Sequence, residues 1–154
     1  MTTDASAPTA SLSEVFAAHD RMTADMDATQ TLIDRENEQL EHLTAQHGRA
    51  RQARQSLYER LLNTLYTDDT GQQGEWPSYQ AQQAFIRAHP DIEAADARIE
   101  EIEQEQAAIE ARKQGLVRVW HQQRHDRAAL RRQANSIDEL RELHRQRRAL
   151  EDDA

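Results

Sequence analysis

The sequence predicts an all-α chain folded as an antiparallel two-helix coiled-coil hairpin. Composition is the first reason. Aromatics make up 5% of the 154 residues, with only 4 Gly and 3 Pro. Sheets need turn residues and aromatic or β-branched strands, whereas this Ala-, Gln-, Glu-, Arg- and Leu-rich mixture suits long helices. The second reason is an apolar seven-residue repeat in each half of the chain. The third is a single polar, Gly- and Pro-bearing interruption between the halves.

Taken in order, residues 1–10 (MTTDASAPTA) are small and polar and read as a flexible leader. Residues 11–154 read as one helical-hairpin domain. Ser11 followed by Glu14 matches a capping box, which opens a helix over about 12–66. One row of its seam is Leu12, His19, Met26, Ile33, Leu40, His47, Arg54 and Leu61. The other is Val15, Met22, Thr29, Glu36, Leu43, Ala50, Leu57 and Thr64. Ten of these sixteen positions are apolar, which is a coiled-coil seam with polar interruptions.

Residues 67–78 (TDDTGQQGEWPS) form the turn. Ser78 is a candidate N-cap for a short helix over 79–88. At His89-Pro90-Asp91 a restart is expected, because Pro suits the first helical position and Asp91 and Glu93 suit a helix N-terminus. The long helix from about 90 to 150 has its seam at Ile92, Ala95, Ile99, Ile102, Gln106, Ile109, Lys113, Leu116, Trp120, Gln123, Arg127, Leu130, Ala134 and Ile137. The apolar pattern weakens over 123–133 and reappears at Ile137, Leu140, Leu143 and Leu150. Neither stripe can be buried alone, so the two helices should pair.

Charge supports that pairing. Residues 91–110 hold eight acids and one Arg, and residues 112–132 hold seven bases and one Asp. A hairpin turning near residue 78 opposes the acidic block to residues 46–65, with four Arg and one Glu. It opposes the basic block to residues 24–44, with six acids and one Arg. Each block meets the opposite sign, which sets register and orientation more than stability.

Composition and motifs exclude several function classes. With no cysteine, disulfide frameworks, thiolate redox chemistry and iron–sulfur ligation are out. The formal charge of −9 disfavours nucleic acid and anionic membranes as partners. No apolar run approaches the roughly 20 residues of a membrane span, and no secretory signal is visible, so a cytoplasmic location is expected. There is no Gly-rich phosphate loop, Lys113 is the one lysine, and no nucleophile elbow or triad is present. The chain therefore reads as non-enzymatic, with no cofactor and no metal.

Three local patterns were weighed against that reading. His121 and His125 share a helical face, and Asp34 is the nearest candidate third ligand, but the intervening residues lack a metalloprotease glutamate. Solvated histidines on a polar helix explain them. His89-Pro90-Asp91 resembles the tripeptide of J-domain co-chaperones, but the helix before it holds one Arg and no Lys, and a helix restart is sufficient to account for it. Asp68-Asp69 at the turn is similar to the acidic tip of hairpin regulators that enter RNA polymerase, although Asp is also a common turn residue.

Interaction residues are the stronger signal. Tyr58, Tyr66, Trp76, Tyr79 and Phe85 cluster in or beside the turn. They suit either a hairpin cap or a protein-binding tip, where Trp and Tyr dominate. Arg141, Arg145, Arg147 and Arg148 crowd the last turns, opposite a leader of little charge. The candidate partner-binding residues are thus Tyr58, Trp76, Tyr79, Phe85, Arg141, Arg145, Arg147 and Arg148, and the expected partners are proteins.

Over nearly its whole length the layout resembles the small stalk proteins of type III export machines, the FliJ/YscO family. The likeness lies in two long helices, a turn just before the middle and an Arg-, Gln- and Glu-rich second helix. Trp76-Pro77-Ser78-Tyr79-Gln80 with Phe85 is similar to the aromatic stretch of flagellar members. Asp138-Glu139-Leu140 with His144 is similar to the tail of injectisome members. The resemblance implies a hairpin seated in the pore of a hexameric export ATPase. Its terminal arginines would face the ATPase, and Tyr58, Trp76, Tyr79 and Phe85 would face an export gate. A generic coiled-coil scaffold, or the polymerase regulator with Asp68 and Asp69 at its tip, is the alternative.

Overall fold

The computed structural model describes residues 11–153; the leader expected over residues 1–10 lies outside them. The fold is all-α, 87% helical, with a long α1 (Leu12–Leu62) packing on a long α3 (Pro90–Asp152). Between them lie β1 (Tyr66–Thr67), β2 (Gln73–Gly74) and α2 (Tyr79–Ala88). The chain divides into two units. One combines residues up to Asp34 with those from Gln114 onward, and the other is Arg35–Lys113.

Caps form where the sequence places them. The Glu14 backbone N–H donates to Ser11 Oγ, and the Ser11 N–H donates to the Glu14 carboxylate, both at 3.2 Å. Ser78 Oγ accepts from the Ala81 N–H at 3.0 Å and starts α2. His89 leaves the helical region with ψ 128°, as a residue before Pro is pushed to do, and α3 starts afresh at Pro90.

In the Arg35–Lys113 unit, one core joins Leu61, Ile86 and Ile92, with Leu57, Tyr58 and Leu62 packed against it. Ile86 on α2 thus plugs the gap between the end of α1 and the start of α3. A second core joins Leu43, Ile102 and Ile109, flanked by Leu40 and Ala50. Polar layers pair between them. Arg112 Nε donates to Glu36 at 3.3 Å, Gln106 Nε2 reaches Thr44 Oγ1 at 3.5 Å, His47 Nε2 lies 2.9 Å from Glu103, and Arg54 donates to Asp96.

The other unit buries Val15, Met26, Ile33 and Ala134. Thr29, the one buried polar residue among those described, has its hydroxyl 2.9 Å from Gln123 Oε1 and 3.0 Å from the Asp25 carbonyl. Arg127 donates to Thr23 Oγ1 at 3.4 Å, and Arg131 Nε donates to His19 Nε2 at 3.1 Å. In both units the α3 partner number falls as the α1 number rises. Of the expected seam positions through Ile137, all but Thr64 are buried or half-buried.

Three details correct the sequence reading. First, α1 stops at Leu62 rather than near 66, and the expected loop contains a small β-ribbon, Tyr66 opposite Gly74 and Thr67 opposite Gln73. Second, the register is displaced: a turn near 78 would oppose Glu103 to residue 53, yet it meets His47. The early end of α1 moves the centre of the turn back along the chain. Third, Leu140, Leu143 and Leu150 do not rejoin the seam; they are 56%, 60% and 73% exposed. After Ile137 the heptad positions fall on Arg141, His144 and Arg148, so the leucines lie on an adjoining face. α1 also begins only seven residues before His19, the partner of Arg131, and exposure begins seven residues past Arg131, at Asp138.

Stability should follow these cores. Ile102→Ala is expected to cost about 2–5 kcal/mol by the cavity it leaves, whereas Leu150→Ala should stay within about 0.5 kcal/mol. Urea unfolding followed by circular dichroism checks the contrast.

Candidate functional site

The turn places its aromatics in a stack. Trp76 sits between Tyr66 (centroids 5.2 Å apart) and Phe85 (4.8 Å), and Phe85 meets the His89 ring edge-on at 5.9 Å. Trp76 Nε1 donates to the Thr64 carbonyl at 2.9 Å, and Gln82 Nε2 donates to the Leu62 carbonyl at 2.9 Å. Gln82 thereby satisfies a carbonyl that the last turn of α1 leaves without a helical donor, and Trp76 satisfies one just beyond the helix end. Tyr58 exchanges hydrogen bonds with Gln83. Of the four aromatics read as partner-binding, Tyr58 and Trp76 are therefore half-buried parts of the cap. Phe85 is 37% exposed and Tyr79 70%. Leu65, 55% exposed on the same turn, carries no sequence signal that marks it, since it belongs to neither the aromatic cluster nor the seam.

The β-ribbon explains Asp68. Gly71, at φ 81°, takes the left-handed position of a three-residue hairpin loop. Asp68 Oδ1 accepts from the Thr70 N–H, the Thr70 hydroxyl and the Gln72 N–H at 2.9, 2.6 and 3.0 Å. The Thr70 hydroxyl, then the Gln72 amide, hold its carboxyl below the ordinary value of 3.8. This carboxylate is occupied by its own turn, while Asp69 is exposed.

His89 Nδ1 accepts from the Asp91 N–H at 3.2 Å, so this tripeptide serves the helix restart. His121 and His125 are both exposed, and His121 packs edge-on to Trp120. Among the described residues no three His, Cys, Asp or Glu side chains gather as a metal site, and no helix is long and apolar enough to cross a membrane.

In the unit that contains it, the C-terminal arm of α3, Asp138–Asp152, presents every residue to solvent. Arg145 pairs with Glu142 at 3.0 Å and Arg147 with Glu151 at 3.6 Å. Arg141 and Arg148 have no ion pair among the described residues. With His144 and Arg145 they line one shallow surface. The predicted arginines thus divide between two faces: Arg141, Arg145 and Arg148 on that surface, and Arg147 beside the leucines.

Compared with known proteins, the chain matches no protein-family model, no curated protein and no solved structure.

Two outcomes test the turn. A carboxyl held low stabilises the ribbon above its ordinary value and loses that effect as pH falls through the lowered value. The protection of the Thr70 and Gln72 amides relative to intrinsic exchange at each pH should therefore stay high at neutral pH and fall as pH drops below 3.8. Asp68→Ala should remove that protection at every pH. Trp76→Ala should cost about 1–3 kcal/mol by urea unfolding, through lost stacking and an orphaned carbonyl.

Proposed function

We propose that the chain is an antiparallel coiled-coil hairpin acting as a non-enzymatic interaction protein. Falling partner numbers in each unit and the turn-side cap support the hairpin. The observation that carries the function is the arm of α3. There the seam positions change from apolar residues to Arg141, His144 and Arg148, with no α1 residue opposite among those described. A basic row at seam positions offers bidentate donors to carboxylates of a partner.

The layout resembles a type III export stalk, and on that reading the protein works in the cytoplasm beside a secretion apparatus. The arm enters the hexameric ATPase, and Tyr79 with Phe85 faces the export gate. Purified protein should then stimulate ATP hydrolysis by the export ATPase encoded in the same genome. Replacing Arg141, Arg145 and Arg148 together by Glu should abolish stimulation while helicity is unchanged. No stimulation by the well-folded wild-type chain would leave only a general scaffold.

A further inference from the structure

The leucines of the arm belong to a different face from the basic row, and that face has a matching groove in the same unit. The groove is open, about 500 Å³ in volume. Its walls include Ala18 and Met22 on α1 and Ala129 and Leu130 on α3, and Asp25 and Asp126 stand at its rim with Arg21. Neither carboxylate has an ion pair among the described residues, and Asp126 Oδ1 accepts from Gln122 Nε2 at 2.9 Å.

On α3 the groove and the leucines form one row. From Asp126 to Leu150, residues spaced alternately three and four apart share a face. Its first half is polar and partly acidic, with Asp126, Ala129, Gln133 and Ser136. Its second half is apolar and basic, with Leu140, Leu143 and Arg147. The row is therefore complementary to itself when reversed.

We infer that this face joins two copies of the chain, the arm of each lying antiparallel in the groove of the other. Leu143 then covers Ala129 and Leu130, Arg147 reaches Asp126 and Asp25, and the helices pass closest at the small Ser136. A chain cannot satisfy its own groove in this way, because arm and groove lie on one unbroken helix. Ala129 and Leu150 are about 32 Å apart along it. Two-fold symmetry makes the contact twice, which suits a second copy better than a single foreign helix. A parallel pairing would instead set Arg147 against Arg147. This inference is independent of the export reading, since the basic row remains open on another face of the arm.

The full-length chain tests it directly. Sedimentation should show a concentration-dependent dimer. Arg147→Asp should raise the dissociation constant tenfold or more, as should Asp126→Arg, and the two substitutions combined should restore much of the loss. Because the chain has no cysteine, Ala129→Cys and Leu143→Cys variants mixed and oxidised should cross-link to each other, and neither should cross-link alone. A monomer at every concentration up to about 100 μM overturns the inference. So does a dimer indifferent to both charge reversals, or one that forms only after residues 1–10 are removed, which would make the leader the occupant of the groove.

Discussion

Everything in this fold depends on a mutual requirement between α1 and α3. Each carries an apolar stripe too narrow to form a core alone, so each is buried only by the other. The layers between apolar contacts are polar but matched: hydroxyl to amide at Thr29 and Gln123, ring nitrogen to guanidinium at His19 and Arg131, carboxylate to guanidinium at Glu36 and Arg112. The exposed pairs add little net stability, whereas a displaced register would leave the buried Thr29 hydroxyl without Gln123. The layers act chiefly by penalising the wrong alignment.

Much of the fold was legible in the sequence because a 3.5-residue period survives polar substitution. His47, Arg54 and Gln106 sit in the seam as their spacing requires, and Ser11, Ser78 and Pro90 act where short-range helix rules put them. The exact register was not legible. It depends on where α1 stops, and that is decided by tertiary contacts: Trp76 and Gln82 bond the carbonyls of Thr64 and Leu62. A two-residue strand is likewise invisible to periodicity.

The candidate sites were legible unevenly. An aromatic cluster looks the same in sequence whether it binds a partner or closes a turn, and only burial separates Trp76 from Tyr79. The terminal arginines were noticed as a group, but their division between two faces follows from helical phase beyond Ile137. There the leucines leave the seam phase, which passes to Arg141, His144 and Arg148. At Asp68 the sequence shows an acidic tip but not the three local donors that engage its Oδ1.

One consequence follows from where the two indoles lie. Trp76 belongs to the Arg35–Lys113 unit, wedged between aromatic rings, and Trp120 belongs to the other, with the Arg124 guanidinium 5.7 Å from its ring centroid. Each half of the chain thus carries its own natural fluorophore in a distinct environment. The emission spectrum is a built-in pair of reporters, able to reveal whether the two halves melt together or in turn.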